Sequence, residues 1–358
     1  MNDEFQQRMN EAARLMRGGS LMEATVAIQR ALGATPATAA TAATAATAAP
    51  VRADDDVIDV EARFVDDPDA RPEPPARARP ESFIAGHFKN EAGARDYKLF
   101  EPARDGSPLP LVVMLHGCTQ DPDDFARGTR MNALARARGF LVLYPAQSQR
   151  GNAQRCWNWF KHNHQARGKG EPAILAGMVR EVVATHDVDP ARVYVAGLSA
   201  GGAMAAILGD AYPDLFAAVG VHSGLPTGSA IDVQTAFAAM SGGTQPVRRA
   251  PRTAAAPPTI VFHGDADTTV HVVNGERVLQ AAGLFASPDV RRGSSSMGVA
   301  WSCRHYVDER GSERAEEWTI HGAGHAWSGG DLAGSYTDPR GPDASAEMLR
   351  FFLQHPKG

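Results

Sequence analysis

The chain has 358 residues, of which 43% are hydrophobic and 22% charged, with a formal net charge of -5 and 3 cysteines. These values fit a globular chain larger than one average domain, and they exclude wholesale disorder, a basic nucleic-acid binder and a disulfide-built mini-fold. The uncharged, apolar run 193–209 is glycine-rich and short for a membrane span, so no span is expected.

Residues 1–33 read as two short helices. Phe5, Met9, Ala12, Ala13 and Met16 share one face of the first, and Gly18 and Gly19 stop it. Ser20 and Glu23 then form a capping box for the second, which carries Leu21, Ala24, Ile28, Ala31 and Leu32. One such hairpin cannot bury its own apolar stripe, so it should dock on the main domain, on a second copy, or on another surface. Residues 34–80 read as a linker: four Thr-Ala-Ala triplets run from Thr38 to Ala49, and 51–80 is rich in proline and acidic residues. Asp3 and Glu4 stand where a secretory signal would be basic, and no apolar core follows them. That points to a cytoplasmic setting, free or attached to a polymer granule through residues 1–33, and leaves an extracellular one open.

From residue 81 to 358 short apolar runs alternate with helical patterns. Strands are expected at Leu109–Leu115, Phe140–Tyr144, Arg192–Ala196, Phe216–His222, Thr259–Phe262 and Glu317–Ile320, and helices at Phe125–Arg138, Glu171–His186 and Gly201–Tyr212. Alternation of this kind implies an α/β domain with a mostly parallel sheet covered on both faces. Reactive groups in such sheets gather at the carboxyl ends of the strands.

Three strand ends carry a nucleophilic constellation. Gly197-Leu198-Ser199-Ala200-Gly201 lies between a strand and a helix, the setting of a nucleophile elbow that lifts a serine hydroxyl above the sheet. Asp265 and Asp267 follow the strand at 259–262; Asp267 is favoured as the acid, because Asp265 lies in the turn that first leaves the strand. His325 follows the last strand on a glycine-bounded loop, with His321 as the fallback. The order Ser199, Asp267, His325 suits acyl transfer: a hydroxyl needs a base, and the base needs a carboxylate to hold its tautomer. After Leu115, the loop His116-Gly117-Cys118-Thr119 should supply a backbone N–H to the developing oxyanion, from Cys118 or else Thr119, paired with that of Ala200. His116 reads as a brace of this loop. His162 and His164 offer two metal ligands where a site needs three or four, so neither a metal nor another cofactor is expected.

Taken together, Leu115-His-Gly-Cys-Thr-Gln120, Leu143-Tyr-Pro-Ala-Gln147, Cys156-Trp-Asn-Trp-Phe160, the Gly197–Gly202 elbow and Gly324-His-Ala-Trp-Ser-Gly-Gly330 resemble the poly(3-hydroxybutyrate) depolymerase family of esterases, with its feruloyl and acetylxylan esterase relatives. The resemblance spans nearly all of 90–355. It implies an α/β-hydrolase fold and carboxylic-ester hydrolysis through an acyl-enzyme, with Ser199, Asp267 and His325 at the triad positions. It also implies a disulfide between the positions of Cys118 and Cys156, which would have to be shielded or else stay reduced in a cytosol; the sequence leaves both states open. With the chain ending at Gly358, soluble hydroxyalkanoate oligomers, amorphous granules or short esters are expected as substrates rather than crystalline polymer. Feruloyl or acetylxylan esters are the alternative within enzymes, and a catalytically silent scaffold docked on a granule or protein is the alternative outside them. Trp159 and Trp327 are expected to face the substrate, and Cys303 to pack as a small buried hydrophobe.

Overall fold

A computed structural model of the protein describes residues 79–243, 256–283, 289–308 and 310–357. The expected hairpin at 1–33 and the linker as far as residue 78 lie outside the described residues.

Ten strands form one sheet. Two antiparallel strands open it, β1 (Ser82–Asn90) and β2 (Gly93–Glu101), followed by β3 (Leu109–Leu115) and β4 (Leu141–Pro145). Then come β5 (Val188–Leu198), β6 (Ala218–His222), β7 (Thr259–Gly264), β8 (Asp289–Ser294), β9 (Ala300–Val307) and β10 (Glu313–Ile320). In space the order is β1-β2-β4-β3-β5-β6-β7-β10-β9-β8. The six strands from β4 to β10 in that order are mutually parallel, and the pairs at both edges are antiparallel. Strand order reverses between β3 and β5. In sheets of this kind ligands bind above the carboxyl ends of the strands at such a reversal.

The apolar runs are continuous because both faces are covered. In β3, Leu111, Val113 and Leu115 pack with Ile174, Met178 and Val182 of a helix at Gly170–Thr185 on one face. Val112 and Met114 join Phe125, Phe351 and Phe352 on the other. Period-2 alternation thus feeds two cores from one strand. The last helix, Ala344–Gln354, closes the second core, with Phe352 stacked on Tyr194 at 5.0 Å between ring centroids.

The single helix expected over Phe125–Arg138 is two: α1 (Pro122–Thr129) and α2 (Met131–Arg138), joined by Arg130 at φ 54. Two competing hydrogen bonds break it. The Thr129 hydroxyl donates back to the Phe125 carbonyl, and the Gly128 carbonyl accepts from Asp331 N–H, far along the chain, instead of from the next helical turn. The helices used below are α3 (Gly170–Thr185), α4 (Ala200–Ala211), α5 (Val233–Met240), α6 (Val273–Ala281) and α7 (Ala344–Gln354). Among the described residues no helix is long and apolar enough to cross a membrane.

Candidate active site

The link from β5 to α4 is a sharp turn with Ser199 at its apex, at φ 57 and ψ -118. A non-glycine residue rarely adopts this backbone, and here neighbouring bonds hold it: Ser199 N–H donates to the His222 carbonyl at 2.9 Å and its own carbonyl accepts from Ala203. Although Ser199 is the N-cap of α4, its hydroxyl makes no capping bond. The hydroxyl oxygen is not spent on capping the helix.

The turn fits because Gly201 has no side chain. A Cβ there would overlap the Leu115 carbonyl oxygen and lie 2.6 Å from that of His116. Both oxygens belong to the backbone that launches the loop after β3, so neither can swing away. Gly201→Ala is therefore expected to lower the free energy of unfolding by roughly 3 kcal/mol in a urea titration and to displace the loop, reducing turnover as well.

Asp267 and His325 meet as the sequence order requires. Asp267 Oδ2 lies 2.7 Å from His325 Nδ1, while Oδ1 accepts the N–H groups of Thr269 and Val270 at 2.8 and 2.9 Å. An ionised carboxylate only accepts, so His325 carries its proton on Nδ1 and keeps Nε2 as a lone-pair base. Burial by itself pushes the Asp267 carboxyl up, but hydrogen bonds from His263 and His325, the His325 charge and the Val270 N–H outweigh it and hold the group below the usual carboxylate range. The rival pair separates cleanly. Asp265 lies 2.8 Å from His321 and is exposed, whereas the Asp267 side chain is fully covered.

No hydrogen bond joins the Ser199 hydroxyl to His325 in this structure; such bonds commonly tighten only around a substrate. His222, at the end of β6, links the two stretches. Its carbonyl holds the elbow, and its ring Nε2 accepts Ser328 N–H at 3.0 Å, three residues beyond His325. The ring also stacks on Phe262 and Trp327, with centroids 5.8 and 5.1 Å away. Nothing in the sequence singled out this histidine.

The loop after β3 is equally braced. His116 Nδ1 bonds the Gly117 carbonyl at 2.7 Å, its Nε2 accepts Gln147 N–H at 3.1 Å, and its carbonyl accepts the Trp157 indole N–H. Gln120 Oε1 accepts Gly117 N–H, and a Cβ on Gly117 would stand 3.7 Å from that of Ser199. Of the two loop amides left open by the sequence, Thr119 N–H is already donated to the Gln154 carbonyl at 2.7 Å, while no described acceptor takes that of Cys118. Ala200 N–H sits in the first turn of α4, before any intrahelical acceptor exists. Of the amides read from the sequence, those of Cys118 and Ala200 are thus left without a described acceptor.

Cys118 and Cys156 form a disulfide, which ties this loop to the segment 156–160. Glu171 holds that segment from below, a role the sequence did not disclose. The carboxylate is buried, accepts Asn158 N–H and side-chain N–H at 2.7 Å each, and pairs with Arg95 at 3.0 Å. His164 spends its Nδ1 on Glu171 N–H, and His162 shares its short 3-10 turn.

The expectation that Trp159 and Trp327 face the substrate is corrected. Trp327 is 1% exposed, meets Phe125 edge-on and donates its indole N–H to Ser345; Trp159 is 6% exposed and packs edge-on against Phe160. Trp327 turns inward because it pairs with Thr337 in a two-residue strand, so its neighbourhood to His325 in sequence does not set its direction. Cys303 is buried, as expected.

Two buried imidazoles make stability depend on pH. Desolvation lowers His116 from 6.5 to about 4 and, with the charges of His263 and His325, lowers His222 from 6.5 to about 3. Between each folded value and 6.5 the unfolded chain binds the extra proton, so this stability is full above pH 6.5 and declines as pH falls. At pH 5 each site should cost ~2 kcal/mol, and urea titrations at pH 7.5 and 5 should show the loss.

Comparison with known proteins identifies the family. Residues 96–297, more than half of the chain, match the family described as Esterase PHB depolymerase. Poly(3-hydroxyalkanoate) depolymerase C of Paucimonas lemoignei is 33% identical over 244 residues, which cover 64% of this chain and 58% of that protein. Poly(3-hydroxybutyrate) depolymerase of Ralstonia pickettii is 29% identical over 246 residues, covering 64% and 50% respectively. The chain therefore spans between half and three-fifths of the length of these relatives. Among solved structures, an acetyl xylan esterase from Aspergillus awamori superposes with a TM-score of 0.60 at 18% identity, covering 76% of this chain and 99% of that one. The fold is that of the α/β-hydrolases, and the chain belongs to the Esterase PHB depolymerase family.

Proposed function

We propose that the protein is a serine carboxylic-ester hydrolase that works through an acyl-enzyme on 3-hydroxyalkanoate esters. The observation that carries the reading is the 2.7 Å contact of buried Asp267 with His325, taken together with a serine held at φ 57 with its hydroxyl uncommitted. Ser199 Oγ attacks the ester carbonyl as His325 Nε2 takes its proton, and Asp267 steadies the imidazolium. The N–H groups of Cys118 and Ala200 receive the negative oxygen of the tetrahedral intermediate. His325 returns the proton to the leaving alcohol, and water then repeats the sequence on the acyl-serine. Ser199, Asp267, His325 and these two amides make up the whole of the proposed machinery. The names of the two depolymerases support hydroxyalkanoates as the acyl class, and soluble oligomers are the form proposed.

A fluorophosphonate probe should label Ser199 stoichiometrically. The purified chain should also hydrolyse a 3-hydroxybutyrate trimer faster than methyl ferulate or acetylated xylan. Absence of both labelling and ester hydrolysis by a folded chain would refute the enzyme and leave the silent scaffold. Preference for ferulate or acetylxylan would keep the chemistry and replace the substrate.

A further inference from the structure

The two residues that the triad leaves aside, Asp265 and His321, do not stand apart from each other. Asp265 Oδ2 lies 2.8 Å from His321 Nδ1, and its Oδ1 accepts Gly322 N–H at 2.6 Å. His321 Nε2 lies 2.8 Å from the hydroxyl of Ser302, on β9. The carboxylate only accepts, so the proton sits on Nδ1 of His321 and Nε2 is left to accept; the Ser302 hydroxyl must then be the donor. Hydroxyl, imidazole and carboxylate stand in the relation that activates a serine. Backbone bonds fix this arrangement, since His321 N–H donates to the Ala300 carbonyl and Asp265 N–H to that of Ile320.

The array is open to solution: the His321 and Asp265 side chains keep 43% and 37% of their exposure. Directly across from Ser302 on β8 is Arg292, exposed and on the same face of the sheet, so a cationic side chain neighbours Ser302. Ser302 lies within a strand paired on both sides, so its backbone amides belong to the sheet rather than to an elbow like that of Ser199. Each missing oxyanion donor costs roughly 10²- to 10³-fold, so only acyl donors with a good leaving group should react.

We propose that Ser302, His321 and Asp265 form a second, surface-exposed acyl-accepting site for activated aryl esters. Ser302 Oγ bonds to the acyl carbon, the carbon–oxygen bond to the aryl group breaks, and the phenolate leaves. The serine proton passes to His321 Nε2 and from there to solvent, and water later releases the acyl group as a carboxylate. The site is independent of the chemistry assigned to Ser199.

The test uses the full chain with Ser199→Ala and p-nitrophenyl acetate as the probe. Release of p-nitrophenolate should be at least tenfold faster in Ser199→Ala than in Ser199→Ala/Ser302→Ala or Ser199→Ala/His321→Gln, with all three showing the same thermal melt. Acid-quenched samples should carry acetyl on Ser302 within the tryptic peptide 293–304, in preference to Ser294, Ser295 and Ser296, which serve as internal controls. Equal release rates in the three variants, or acetyl spread evenly over the four serines, would overturn the proposal. Reaction at a bare His321 would survive loss of Ser302 and so counts as overturning it.

Discussion

Ser199→Ala is expected to lower kcat on a 3-hydroxybutyrate trimer by roughly 10⁴- to 10⁶-fold while leaving the thermal melt within a few degrees of the parent. The size follows from covalent catalysis: without the oxygen there is no acyl-serine, and only the oxyanion amides and substrate binding continue to act. The small effect on folding follows from local structure. The Ser199 hydroxyl makes no helix cap, and the bonds that hold the elbow run through its backbone N–H and carbonyl, which alanine retains. Alanine must still adopt φ 57, as serine does, so the strain is carried over rather than added. Steady-state kinetics with circular-dichroism melts separates the two quantities. Turnover within tenfold of the parent in a folded variant would remove Ser199 from the nucleophile's role.

Much of this site was readable because its constraints are local. The elbow needs a strand, two glycines and a small-residue helix within a few residues, and Arg192 to Gly202 supplies them in order. Asp267 could be preferred to Asp265 because Asp265 lies in the turn that first leaves the strand, and the structure gives each aspartate its own histidine. What escaped the sequence depends on distant partners or on direction. β8, Asp-Val-Arg-Arg-Gly-Ser, is largely exposed and has no apolar run, so an edge strand looks like a loop. β1 is half-exposed for the same reason. The break at Arg130 follows from Asp331, some two hundred residues away, taking the Gly128 carbonyl. His222 and Glu171 act through hydrogen bonds to segments remote in sequence, and no motif marks them. Trp327 shows the converse: close to His325 along the chain, yet turned into the core by its pairing with Thr337.

Asp267→Asn should be the next largest loss, roughly 10⁴-fold in kcat on the same trimer, with little change in KM. An asparagine can present either its carbonyl or its NH2 to His325. The carboxylate oxygen that accepts Thr269 and Val270 N–H must remain an acceptor, so the carbonyl is held on that side and the NH2 turns to the imidazole. An NH2 donates, which forces His325 Nδ1 to accept and moves the ring proton to Nε2, the atom that should take the serine's proton. The base is then blocked and the imidazolium loses its counter-charge. Asp265→Asn keeps a carbonyl acceptor for Gly322 N–H and alters only the solvent-exposed contact with His321, so Ser199-dependent turnover should fall by at most about threefold. Measuring both variants side by side decides which aspartate serves Ser199, because a larger loss from Asp265→Asn would reverse the assignment. Substituting Ala at 267 should be as damaging as Asn if the counter-charge dominates, and less damaging if the wrong tautomer does, since an empty position leaves His325 free to protonate on either nitrogen.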